Sequence, residues 1–199
     1  MAVSPAQVKE LREKTGCGMM DCKNALEESS GNLDKAIESL RKKGLADLAK
    51  RSGRAANEGL IESYIHSQGR IGVLVEINCE TDFVSRNTDF QGFAHDMAMQ
   101  IAASMPVYVD REDIPEDLIK AEQEIYREQA LGENKPEKVV DKIIEGKMEK
   151  YYGMVCLLDQ PFIKDQDKKV KDYLGELVGK LGENIGIRRF ARYQLGEEL

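Results

Sequence analysis

Two strand-like runs separated by a short turn constrain this chain most. Leu60 to His66 and Arg70 to Asn78 have the length and β-branched content of strands, and Ser67-Gln-Gly69 between them reads as a tight connection. The second run contains Ile71-Gly-Val-Leu-Val-Glu-Ile77, which is apolar enough for a buried strand. A hairpin of this kind needs a layer to cover it. The next segment supplies one, because Phe90, Phe93, Ala94, Met97 and Ile101 recur at helical spacing up to Met105-Pro106. Thr88 and Gln91 ahead of them form a capping-box pattern. A strand pair covered by amphipathic helices predicts the α+β class.

The rest of the chain is patterned mostly as helix. Residues 1–44 predict a three-helix unit. Ser4-Pro-Ala-Gln7 is a capping box with Pro in the first helical position, and Val8 and Leu11 follow on one face up to a stop at Gly16. Met20 to Leu26 predict a second short helix, with Gly31 as its stop. Asn32 caps a third, in which Leu33, Ala36, Ile37 and Leu40 fall at i, i+3, i+4 and i+7, with Gly44 at its end. Residues 45–58, rich in Ala, Lys and Arg, are expected to connect this unit to a core domain over 59–199. Within the core, residues 115–151 carry two charged helices with narrow apolar faces. Leu118, Ala121 and Ile125 lie on the first, and Val139, Val140, Ile143, Ile144 and Met148 on the second. The break Gly132-Glu-Asn-Lys-Pro136 between them predicts an antiparallel helical hairpin. Gln160-Pro-Phe marks a turn. Val170, Tyr173, Leu174, Leu177, Val178 and Leu181 form a last amphipathic helix, and Ile185 to Leu195 a third strand beside the hairpin, its Arg188, Arg189 and Arg192 serving the surface.

Charge and cysteine content narrow the function. With a formal net charge of −7, the chain is poorly suited to neutralising nucleic-acid phosphates. The run Lys50-Arg51-Ser-Gly-Arg54 reads as a solvated linker. No apolar run approaches the ~20 residues of a membrane span, and the start does not read as a secretory signal. Cys17, Cys22, Cys79 and Cys156 form no Cys-x-x-Cys, and His66 and His95 stand apart, so no metal is expected and free thiols are. There is no phosphate-binding loop; Gly16-Cys-Gly18 lacks the length and the lysine. Glu80, Asp82 and His95 can be set out as a hydrolytic acid/base group, but such residues are too common to mark a site without geometry.

The most telling segment is Cys79-Glu80-Thr81-Asp82-Phe83-Val84, where the hairpin hands over to the following helix. It places an acid beside a large aromatic at a strand-to-helix turn, where binding residues concentrate. Two readings stand at this level: Phe83 presented to a partner, or an Asp cap with Phe83 folded into the core. Met19 and Met20 offer the same choice at the head of the second helix, between core packing and exposure.

Thr15-Gly-Cys-Gly-Met-Met-Asp-Cys-Lys-Asn-Ala-Leu26 resembles the N-terminal signature of the elongation factor Ts family. Thr81-Asp82-Phe83-Val84 resembles its core signature, and Gly182-Glu-Asn-Ile-Gly-Ile-Arg-Arg-Phe190 its ending. The resemblance implies a nucleotide-exchange factor for the GTPase elongation factor Tu, without covalent chemistry, cofactor, membrane or direct nucleic-acid partner, working in the cytoplasm or an organelle. It implies a ubiquitin-associated-like fold for residues 1–44 and a coiled-coil protrusion for the helical hairpin. Thr81, Asp82, Phe83 and Val84 take the segment associated with dislodging magnesium from Tu. Met19, Met20 and Lys23 lie in the region that docks on the GTPase domain, and His66 lies on a hairpin that reaches another part of Tu. Longer family members carry two core halves and this chain one, which implies a homodimer. The alternatives are an adaptor binding some other protein through residues 1–44, and the carboxylate hydrolase.

Overall fold

The computed structural model describes residues 3–132 and 136–197. The elements in chain order are α1 (Pro5–Thr15), α2 (Met19–Glu28), α3 (Leu33–Arg51), β1 (Glu58–His66), β2 (Ile71–Cys79), α4 (Asp82–Ser85), α5 (Thr88–Ser104), α6 (Glu116–Gly132), α7 (Glu137–Val155), β3 (Pro161–Phe162), β4 (Asp165–Lys169), α8 (Val170–Leu181) and β5 (Ile185–Gln194). This is an α+β protein. The described chain divides into two compact units, residues 3–99 with 171–197, and residues 100–170.

The first unit opens with three helices whose boundaries follow the capping chemistry. Ser4 and Gln7 exchange side-chain bonds with each other's backbone N–H groups, and Gly16 ends α1 in the left-handed conformation at φ 67°. Asn32 caps α3 by accepting the Lys35 N–H at 3.0 Å. Leu11, Cys22, Ala25, Leu26, Ala36 and Leu40 form the buried centre of this bundle. The stop expected at Gly44 is absent, and α3 runs through it to Arg51. Gly44 sits where α3 passes against the backbone of α8, so the missing side chain serves close approach rather than termination.

The same unit holds a three-stranded antiparallel sheet of order β1-β2-β5, which puts the most apolar strand in the centre. Val73, Val75, Ile77 and Cys79 alternate inward and are buried. Helix α5 lies on this face, since His95 approaches both Glu62 and the edge of the Tyr64 ring, two residues that share it. Phe90, Phe93 and Met97 of α5 and Leu174, Leu177 and Val178 of α8 are buried as well. The rings of Phe93 and Tyr173 meet at 5.1 Å, and the Tyr173 hydroxyl donates to Asp96 at 3.2 Å. The cap of α5 differs from the expected Thr88 pattern: Asn87 accepts the Asp89 N–H at 2.8 Å, leaving Thr88 as the first helical residue. The opposite face of the sheet exposes Ile61, Ile65, Leu74 and Tyr193. A bulge between Glu76 and Ile77 brings both Arg188 and Arg189 to Glu76. Arg192 departs from the expected surface role. It is paired with Val73 on the covered side, and its side chain is only 8% exposed.

In the second unit α6 and α7 pair through Ala130, Val140, Ile144 and Met148, with Tyr126, Tyr151 and Tyr152 packed beside them. Bonds from Arg127 to Asp141 at 3.3 Å and from Lys147 to Gln129 at 2.7 Å join the two consecutive helices. Most of the break expected over 132–136 falls on residues 133–135, outside the described ones. At the base of the hairpin the Arg111 guanidinium bonds both oxygens of buried Asp159 and both of Glu149, and stacks over Tyr152 at 4.4 Å. Lys169 also reaches Asp159, at 3.1 Å. The turn read at Gln160-Pro-Phe opens a small two-stranded sheet, β3 with β4. Fully buried Gln100 holds it, donating to Gln160 and Pro161 and accepting the Ile163 N–H at 2.8 Å. Among the described residues, no helix is long and apolar enough to cross a membrane.

Candidate functional site

The segment after β2 folds into a one-turn helix, α4, which the sequence pattern did not announce. Thr81 is its N-cap, accepting the Val84 N–H at 3.4 Å. Asp82 and Phe83 are therefore its first two residues. Four residues of helix cannot hold themselves, because nucleating a turn costs more than its few bonds return. The support comes from 102 residues further along the chain. One oxygen of Glu183 accepts the backbone N–H groups of Glu80 at 3.1 Å and Thr81 at 3.0 Å. The other accepts the Thr81 hydroxyl at 2.6 Å. Glu80 returns the arrangement: its carboxylate accepts the Asn184 N–H at 2.6 Å and an Arg54 N–H at 3.3 Å. Asn184 in turn donates to the Arg54 carbonyl at 2.7 Å. The Asn184 N–H, and after it Arg54, hold the Glu80 carboxyl below its usual range.

This clamp fixes a turn with two faces. Val84 points inward and is buried. Cys79, just before the turn, is buried too; desolvation, reinforced by the Glu183 charge, pushes its thiol up to about 11, and it donates to the Thr81 carbonyl at 3.1 Å. Phe83 points outward and is 79% exposed. A phenylalanine so open to water, on a turn held by charged hydrogen bonds, is the exception to ordinary burial. Asp82 is also exposed and pairs with Arg86 one turn on, at 2.8 Å. Such an exposed pair is weak, so a partner can redirect either member.

The other residues singled out from the sequence fall elsewhere on the first unit. Met19 and Met20, at the start of α2, are 60% and 62% exposed and stand outside the bundle core. Lys23 lies on the same helix within 3.7 Å of Glu27. His66 ends β1, its Nδ1 2.9 Å from the Tyr64 hydroxyl. Glu80, Asp82 and His95 are each engaged with other partners: Glu80 with Asn184, Asp82 with Arg86, and His95 with Glu62. Sequence reading missed Glu183. Its only signal was its place in Gly182-Glu-Asn-Ile, whose partner segment cannot be read from spacing.

The α+β scaffold thus presents an exposed aromatic on a clamped turn. Comparison with known proteins gives the family. The model of the family described as elongation factor TS matches residues 7–197. Proteins named elongation factor Ts are similar over nearly the whole chain. That of Carboxydothermus hydrogenoformans is 61% identical over 197 residues, covering 99% of this chain and 91% of its own. That of Moorella thermoacetica is 60% identical over 195 residues, 98% of this chain and 96% of its own. That of Syntrophus aciditrophicus is 59% identical over 199 residues, 100% and 99%. The chain belongs to the elongation factor Ts family. This is a family of translation elongation, and its members are exchange factors for elongation factor Tu.

Proposed function

We propose that this chain releases GDP from elongation factor Tu by seating Phe83 in a pocket of the GTPase while Asp82 disturbs the groups that hold magnesium and phosphate. The observation that carries this reading is Phe83, 79% exposed on a turn clamped by Glu183. A factor that promotes release must bind the nucleotide-free GTPase more tightly than the loaded one, and the coupling is reciprocal. A thousandfold effect needs about 4 kcal/mol of differential contact. A large aromatic buried only in the complex supplies energy of that order. A carboxylate beside it competes for the donors and the cation that hold a phosphate.

In this reading Thr81 and Val84 shape the turn, and Met19, Met20 and Lys23 dock on the GTPase domain. His66 makes a lesser contact. No covalent step and no cofactor enter. The protein acts in the cytoplasm, without nucleic acid or membrane. The open face of the sheet, with Ile61, Ile65, Leu74 and Tyr193, supports pairing with a second copy. Release of labelled GDP from purified elongation factor Tu tests the function. Acceleration by substoichiometric amounts of this chain is expected, and none would refute the reading.

A further inference from the structure

Within the first unit, α3 meets α8 at a crossing that leaves no room for a side chain. A Cβ on Gly44 would stand 2.9 Å from the Gly175 carbonyl oxygen, and one on Gly175 would stand 3.1 Å from the Gly44 carbonyl carbon. Glycine inside a helix costs stability relative to alanine, and here two of them face each other. One turn earlier on both helices, Arg41 bonds Asp172, whose side chain is 4% exposed. A third contact comes from the loop before α2. A Cβ on Gly16 would stand 3.5 Å from Lys180 Nζ, and Lys180 also pairs with Asp89 of α5 at 2.8 Å. The bundle does not need these contacts for its own core, which is made by Leu11, Leu26, Leu40 and their neighbours. Their common effect is to tie the part that carries Met19 and Met20 to the part that carries Phe83.

We propose that the Gly44–Gly175 crossing and the Arg41–Asp172 pair form a latch. The latch holds the Met19–Met20 surface and the Phe83 turn in one arrangement, so that both engage a single molecule of elongation factor Tu as one preorganised interface. This rests on the reading of those two surfaces given under Proposed function. Arg41 and Gly44 are positioning residues. Once one surface has bound, a fixed geometry makes the second contact intramolecular, and no ordering of the bundle is charged against binding. With the latch loosened, the bundle stays folded and attached by the chain, but affinity falls by about tenfold. The exchange rate at saturation stays the same, because the Phe83 turn is untouched. The expected signature is a rise in half-maximal concentration with unchanged maximal rate.

The test uses the full chain with Arg41→Ala or Gly44→Ala, each also combined with Met19→Ala/Met20→Ala, in GDP-release titrations against elongation factor Tu. Each latch variant should raise the half-maximal concentration about tenfold in the parent background and leave it unchanged in the double-methionine background. An unchanged value for Arg41→Ala in the parent, or an equal loss in both backgrounds, overturns the latch. If Met19→Ala/Met20→Ala alone leaves binding unchanged, the reading of the bundle surface fails and the latch falls with it. If the Cβ at position 44 disrupts folding by circular dichroism, Arg41→Ala carries the test, since it leaves the bundle core intact.

Discussion

Replacing Phe83 with alanine separates function from folding more cleanly than any other single change. A phenylalanine presents about 200 Å² of surface. With 79% of it open in the free protein, only about a fifth, or about 40 Å², is removed from water by folding. At about 25 cal/mol/Å² that is about 1 kcal/mol of stability. The better helix propensity of alanine in α4 offsets part of it. The melting temperature should therefore fall by no more than about 2–4 °C. The remaining ~160 Å² is available to a partner pocket and corresponds to an upper limit of about 4 kcal/mol. Interface anchors of this kind commonly contribute at least about 2 kcal/mol. Exchange efficiency should accordingly drop by about 30- to 1,000-fold. The assay is displacement of fluorescent GDP from elongation factor Tu at several factor concentrations, run beside thermal melting. A melting temperature lowered by ten degrees or more with exchange retained would refute the argument, because Phe83 would then be structural.

The remaining predictions concern the supports. Glu80 has its folded pKa lowered from an ordinary 4.5, so its stabilisation is present above that value and is lost as pH falls through the folded pKa. Wild type should lose its stability advantage over Glu80→Gln in an acid titration followed by circular dichroism, and a difference that persists unchanged at the lowest pH would count against the clamp. Arg111→Ala removes the main partner of buried Asp159 and should cost about 3 kcal/mol, the low end for such a loss because Lys169 remains; urea denaturation measures it, and a cost below about 0.5 kcal/mol would make the network incidental. Sedimentation equilibrium should show a dimer that Ile61→Lys dissociates, and a single 22.4 kDa species for the parent at all micromolar concentrations would reject the pairing.

The sequence by itself determined the elements whose signals are local. The Ser4–Gln7 box, the Asn32 cap and the Gly16 stop lie within a few residues of the backbone groups they satisfy, so α1 and the start of α3 were legible. The apolar run of β2 and the turn after His66 fixed the hairpin. The chain-order signature from Thr15 to Phe190 carried the family. Tertiary structure decided what depends on distant partners. Whether Phe83 faced core or water turned on Glu183, 102 residues away, which holds the turn so that Val84 and not Phe83 goes inward. Gly44 reads as a helix stop until Gly175 is seen against it, 131 positions along the chain, the same separation as Arg41 from Asp172. Arg192 reads as a surface cation until the β2–β5 register turns it to the covered side. Capping and periodicity are short-range and leave their mark in neighbouring residues. A carboxylate that accepts hydrogen bonds from a turn a hundred residues away leaves no such mark, because any exposed glutamate in a loop looks the same until the fold closes around it.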